Sequence, residues 1–366
     1  MRPTEIDSRQ YEAQLAEKAE ILRSLFKQHA MPALELYPSN PLHYRMRAEF
    51  RVWHDGEDLY HIMFDSQTKE KYRVDHFPPA SKLINEVMID LLELLKPNDT
   101  LRRKLYQIDY LSTLSGEILV TLVYHKPLDE EWQQEAQKLR TILRNKYQLD
   151  IVGRARKQMV LLERDHVIEA LDINGRTYQF KQIENSFTQP NAGVNCQMIG
   201  WALDATKDLS ADLLELYCGL GNFTLPLAQN FERVLATEIS KASVEAANYN
   251  AKLNQIDNVT VIRISSEEFT EALQGKRQFK RLAGIQLEAF DCQTVLVDPP
   301  RAGLDPDTCK LVSHYQNILY ISCNPQTLLD NLETLGQTHE VTRFALFDQF
   351  PYTHHAECGV VLKRKA

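Results

Sequence analysis

From Tyr44 the chain alternates. Tyr44, Met46, Ala48, Phe50 and Val52 interleave with Arg45, Arg47, Glu49, Arg51 and Trp53, a period of two that predicts a strand burying the first set. Asp55-Gly56 then supplies a hairpin turn. On either side the period lengthens: residues 12 to 29 and 80 to 96 repeat apolar groups every three or four positions and read as amphipathic helices. Residues 105 to 124 read as a hairpin turning at Ser115-Gly116, and residues 129 to 147 as another helix. A basic strand-like stretch, residues 152 to 157, and a further hairpin at Asn174-Gly175 follow. The order is α+β, with no fixed-period repeat.

After about Asn191 strands alternate with helices, the signature of a doubly wound parallel sheet. The expected organisation is therefore an α+β domain over residues 1–186 followed by an α/β, Rossmann-like domain over residues 187–366. A length of 366 residues suits two domains.

In the second domain the strand Leu213-Leu214-Glu215-Leu216 runs into Tyr217-Cys218-Gly219-Leu220-Gly221-Asn222, where glycines let backbone approach a ligand. Thr224 stands where a dinucleotide fingerprint needs its third glycine, which disfavours pyrophosphate. The next strand ends at Glu238, placed to accept hydrogen bonds from ribose hydroxyls. A nucleoside cofactor without phosphates, such as S-adenosylmethionine, fits this combination; a tight structural turn is the plainer alternative. Two further strands deliver Asp298-Pro299-Pro300-Arg301 and Ser322-Cys323-Asn324-Pro325 to the same sheet edge. Asp298 can orient a ligand or cap a turn. Cys323 can be a nucleophile or a small buried hydrophobe.

Composition narrows the class. Hydrophobic residues are 43% and charged ones 25%, ordinary for a globular protein. No apolar run is long enough to span a bilayer and the N-terminus is charged where a signal peptide needs an apolar stretch, which sets the expectation of a cytoplasmic protein without membrane contact. The six cysteines form no C-x-x-C pair, so neither a disulfide framework, a metal site nor an iron–sulfur cluster is expected. A net charge of -8 argues against gripping nucleic acid by bulk electrostatics. The first 180 residues are nearly balanced, with 26 basic and 28 acidic side chains against 16 and 22 in the remainder. The arginines interleaved with Trp53 are thus either a solvated face or a local surface for RNA, whose bases stack on rings while Arg holds phosphate.

The segments HYRMRAEFRVWHDG, ENSFTQPN, LLELYCGLGNF, DPPRAGL, YISCNP and FDQFPYTHHAECG, in this order along essentially the whole chain, resemble the RNA uracil-5-methyltransferases, most closely the bacterial branch acting on the T-loop of tRNA. The resemblance implies that Cys323 is the nucleophile and Glu357 the proton acceptor. It also implies that Gln189, Tyr217, Asn222, Glu238 and Asp298 bind S-adenosylmethionine. Relatives acting on ribosomal RNA have an extra small β-barrel and a four-cysteine iron–sulfur site; this chain lacks both motifs, which favours the tRNA branch.

The implied reaction methylates carbon 5 of the T-loop uridine, giving ribothymidine. Carbon 5 is a weak nucleophile until a thiolate adds to carbon 6, and a base must then remove the carbon-5 proton. The base must also leave its stack, which requires a surface recognising a folded RNA loop. The implied partner is the T-arm of tRNA, or an RNA imitating it such as transfer-messenger RNA, with no obligate protein partner. Tyr106 and Tyr110 are candidates to stack on loop bases, although strand tyrosines are more often core. Three rival readings remain: methylation of ribosomal RNA, methyl transfer to an exocyclic nitrogen, which has no use for Cys323, and a tRNA-folding role to which chemistry is secondary.

Overall fold

A computed structural model describes residues 2–366, which divide into two units, each built from more than one stretch of chain. The first comprises the residues up to Ser8, 40–171 and 181–192; the second comprises residues 9–39, 172–180 and 193–366.

The first unit is a seven-stranded sheet in the order Lys71–Val74, Asp58–Phe64, Arg47–Asp55, Leu105–Ser112, Glu117–Tyr124, Gln148–Ala155, Gln158–Leu161. All pairs are antiparallel except Glu117–Tyr124 with Gln148–Ala155. A parallel pair needs a crossover, and helix Glu130–Arg144 supplies it, its N-terminus capped by Asp129 accepting from the Trp132 amide. Trp132 is fully buried against Gly153, where an added Cβ would come within 2.3 Å of the indole. Ser81 caps helix Lys82–Leu95 in the same manner. The alternation from Tyr44 is realised: Tyr44, Met46, Ala48, Phe50 and Val52 are buried, while Glu49, Arg51 and Trp53 are exposed.

The second unit is an eight-stranded sheet in the order Leu34–Tyr37, His339–Phe347, Glu357–Arg364, Asn317–Ser322, Cys292–Val297, Asp212–Leu216, Arg233–Glu238, Val259–Arg263. Its pairs are parallel except the two made by Glu357–Arg364. Asp212–Leu216 and Cys292–Val297 lie side by side in the middle, where the strand order reverses, and ligands bind at the carboxyl ends of strands flanking such a point. Helices cover both faces. Trp201 of helix Ala192–Thr206 packs on Gly359, whose missing side chain makes room for it. On the opposite face Leu214, Leu216, Val295, Val297 and Tyr320 join Tyr11, Leu15, Ala19, Leu22 and Phe26 in one apolar cluster.

That last contact corrects the expected division of the chain. Residues 9–39 belong to the second unit, not the first, because the stripe on helix Tyr11–Leu25 buries against the parallel sheet and Leu34–Tyr37 adds to its edge beside His339–Phe347. Helical periodicity marks an apolar stripe but not the surface that will cover it.

Candidate active site

Strand register decides which side chains share a face. Glu215 pairs with Leu296, Leu296 with Leu319, and Leu319 with Val361. Paired residues point the same way and the period is two. Asp298, two residues past Leu296, Cys323, four past Leu319, and Glu357, four before Val361, are therefore directed to one side of the sheet with Glu215. Ser322 is itself opposite Cys358, which brings Cys323 and Glu357 together at the strand ends.

Electrostatics agree with this placement. Glu357 is buried, and burial followed by the nearby charge of Asp298 holds its carboxyl well above the usual range. Burial likewise raises Asp298. Two repelling carboxyls in a dry site favour keeping a proton between them. Cys323 is half-buried, and its thiol is pushed up to about 11 by burial, then by Glu357 and Asp298, with Arg301 opposing them. Two loops are tied together here: Asn324 Nδ2 donates to the Arg301 carbonyl at 2.9 Å, and an Arg301 guanidinium nitrogen lies 2.6 Å from His355 Nδ1. The Ser322 hydroxyl bridges to Asn324, donating to its carbonyl and accepting from its amide. Helix Pro325–Leu335 follows, with the Asn324 side chain as its cap.

Next to this cluster lies the loop after Asp212–Leu216. Tyr217, Gly219 and Gly221 all have positive φ, at 64°, 55° and 90°. A Cβ on Gly219 would meet nothing within 4 Å, so the space over the loop is open. Glu238 braces the loop, accepting from the Gly219 amide at 3.1 Å and the Ser240 amide at 2.7 Å. Asn222 and Asn195 exchange two side-chain hydrogen bonds of 2.9 and 2.8 Å, and Ser266 donates to the Tyr217 hydroxyl at 2.6 Å. Residues 217 to 222 hold no Lys or Arg for a phosphate. The ionisable groups that act on them are carboxyls: Glu215 and Glu238 on Cys218, Glu267 and Asp305 on Tyr217. This set fits a cationic nucleoside cofactor: Glu238 for ribose hydroxyls, the half-buried Asp298 for positive charge.

Of the seven residues expected from sequence, Tyr217, Asn222, Glu238, Asp298, Cys323 and Glu357 are all in the second unit at the carboxyl edge of its sheet. Gln189 lies in the 181–192 segment, which belongs to the first unit. Sequence reading passed over Glu215, Arg301, Asn324 and His355, although each stands inside a motif already singled out. Glu215 is fully buried and its carboxyl is pushed up to about 8, chiefly by burial. An acid in the middle of an apolar strand was the available signal. The six cysteines are all free.

An open α/β sheet with a glycine loop and an acidic strand end at its reversal point defines the class: this is the S-adenosylmethionine-dependent methyltransferase fold. The solved tRNA (uracil-54, C5)-methyltransferase of Pyrococcus abyssi, in complex with S-adenosyl-L-homocysteine, shares it with a TM-score of 0.72 at 22% identity, over 96% of this chain and 83% of that one. The family model for tRNA (uracil-5-)-methyltransferase matches residues 10–365, and the chain belongs to that family. The tRNA/tmRNA (uracil-C(5))-methyltransferase of Pseudoalteromonas atlantica is 65% identical over 365 residues, and that of Shewanella amazonensis 60% over 365, each comparison covering the whole of both chains.

Proposed function

We propose that this chain uses S-adenosylmethionine to methylate carbon 5 of uridine in tRNA and transfer-messenger RNA, at T-loop position 54 of tRNA and the matching site of a T-arm-like fold. The observation that supports it most directly is the common face shared by Cys323, Glu357 and Asp298 beside the glycine loop.

In this reading Tyr217, Asn222, Glu238 and Asp298 hold the cofactor, which when bound supplies an electrophilic methyl group. Gln189, assigned to the same set, rests on the family resemblance alone. Cys323, half-buried, releases its thiol proton to solvent and adds through sulfur to carbon 6 of the uracil, moving an electron pair onto the ring as an enolate. Arg301 favours the thiolate. Carbon 5 becomes nucleophilic and takes the methyl group. Glu357, once the proton that burial favours on it has passed to solvent, removes the carbon-5 proton, the ring double bond re-forms and sulfur leaves as thiolate.

Substrate recognition is assigned to the outward face of the first unit's sheet. There Arg51 lies 4.9 Å over the Tyr106 ring, Tyr106 stacks on His125 with centroids 3.8 Å apart, and Lys71 lies 3.0 Å over the ring of Trp53. Rings with cations on them suit unstacked bases and their phosphates. Tyr110 leaves the candidate list: it is buried in the core with its hydroxyl 2.8 Å from His61 Nε2. No helix of the described residues is long and apolar enough to cross a membrane, and a cytoplasmic site of action is part of the proposal.

The deciding experiment is incubation with a T-arm hairpin carrying 5-fluorouridine. Fluorine cannot leave as a proton does, so a covalent adduct should persist and peptide mass spectrometry should find it on Cys323. An adduct on another residue, or none with methylation of the normal hairpin intact, would exclude the mechanism.

A further inference from the structure

The segment Asp348–Ala356 joins strand His339–Phe347 to Glu357–Arg364 and delivers Glu357 as the first residue of the last strand. Within it, the Thr353 amide and Oγ1 both donate to the Phe350 carbonyl, and Thr353 Oγ1 accepts from the His355 amide. Beside the bonds of Gln349 to Met198 and of His355 to Arg301, a group of its anchors comes from more than 300 residues away in sequence. Lys18 donates to Asp348 Oδ1 at 2.7 Å and to the Phe350 carbonyl at 2.6 Å. Gln14 Nε2 donates to Asp348 Oδ2 at 2.9 Å, and Gln14 Oε1 accepts from the Tyr352 amide at 3.1 Å. The Tyr11 ring meets the Tyr352 ring edge-on, 6.0 Å between centroids.

Positions 11, 14 and 18 form one row along helix Tyr11–Leu25, next to the apolar row that anchors the helix in the core. Lys18 is 8% exposed and Asp348 1%. A buried ion pair adds little stability over an apolar pair of the same volume, because both charges must be stripped of water. What such a pair does supply is directional bonding. Here every bond ends on the loop that leads into Glu357 and carries His355, the partner of Arg301.

We propose that Lys18 and Gln14 are positioning residues for the proton-removal step: from the face of the sheet opposite to the Glu357 carboxyl, they hold the 348–356 loop so that this carboxyl enters the site in the orientation needed to reach the carbon-5 proton. The inference rests on the reading of Glu357 as the base. It assigns to the N-terminal helix a part chiefly in the second half of the reaction, since Cys323 is placed by its own strand and by Asn324 and feels the loop only through Glu357 and the Arg301–His355 contact.

The two halves can be observed separately with an ordinary, unfluorinated T-arm hairpin. When base removal alone is slow, the methylated RNA stays bonded to Cys323 and appears as a slow band on a denaturing gel. The variants are Gln14→Ala, which removes no charge, and Lys18→Met with Asp348→Asn, which leaves no charge unpaired if Lys18→Met alone fails to fold; Glu357→Gln is the reference. The expected result is accumulation of adduct in both variants, with turnover lowered on the order of tenfold to a hundredfold, as for a misplaced group, and with KM for RNA lowered rather than raised, as follows when a bonded intermediate accumulates. Adduct and turnover falling together would mark a merely structural role and overturn the proposal, as would wild-type behaviour in both variants. If Glu357→Gln itself accumulates no adduct, it is the reading of Glu357 that fails.

Discussion

Ser322 and Cys358 face each other in the antiparallel register of strands Asn317–Ser322 and Glu357–Arg364, which brings the thiol of Cys323 and the carboxyl of Glu357 to the same strand ends. The two groups also feel each other, since the Glu357 carboxyl raises the Cys323 thiol. Burial is the larger cause of that shift, and together with the neighbouring carboxyls it favours the protonated thiol.

Replacing either group should stop the reaction at a different point. Cys323→Ala should lower methyl transfer by at least about three orders of magnitude, the scale of losing a nucleophile, with cofactor affinity intact by calorimetry. Glu357→Gln should lower turnover by roughly 10²- to 10⁴-fold while still forming the adduct.

The pH dependence of adduct formation carries a sign. Only the thiolate adds to carbon 6, and the thiol is held up to about 11, so the single-turnover rate should climb from neutral pH into the alkaline range. Arg301 opposes that upward shift, so Arg301→Ala should displace the climb to higher pH. Trapping on 5-fluorouridine RNA over a pH series measures it; a displacement to lower pH would contradict the assigned role of the guanidinium.

Glu215 should make stability fall as pH rises. Its native carboxyl is pushed up to about 8, above the value of about 4.3 for an unfolded glutamate. Between these limits the native state binds the proton that the unfolded state has released, so stability is fully present below the lower limit and lost toward the upper one. Glu215→Gln removes this dependence. Relative to the parent it should gain on the order of 1 kcal/mol or more at mildly alkaline pH and little near pH of about 4, read from thermal melting at both.

The two tyrosines of strand Leu105–Ser112 should separate binding from stability. Tyr106→Ala should weaken T-arm binding by about 1 to 3 kcal/mol, the cost of losing a stacking ring, with melting unchanged. Tyr110→Phe should leave RNA binding unaltered and lower the melting temperature, because His61 loses its buried partner. Filter binding at fixed salt and thermal denaturation distinguish them.

Much of this was legible along the chain. The alternation at residues 44 to 53 announced both faces of a strand, and the strand–loop–helix pattern after Asn191 announced the parallel sheet, because side-chain period and turn chemistry are local properties. The YCGLGN loop and Cys323 stood out at strand ends, while the role of Cys323 and the choice of Glu357 came from the family resemblance. The reading of strand tyrosines as more often core holds for Tyr110, but sequence could not separate it from Tyr106, since which face of a strand is buried depends on the helices laid over it.

What sequence alone determined, then, was many of the elements, though not strands Leu34–Tyr37 or Lys71–Val74, and the candidate residues at their ends. Tertiary structure decided everything that depends on which elements meet: that residues 9–39 join the second unit, that Glu215 shares a face with Asp298 and Cys323, and that Lys18 reaches Asp348 across 330 positions. The physical reason is that an apolar stripe or a polar side chain encodes a need to be covered or paired, and long-range packing alone selects the partner that meets it.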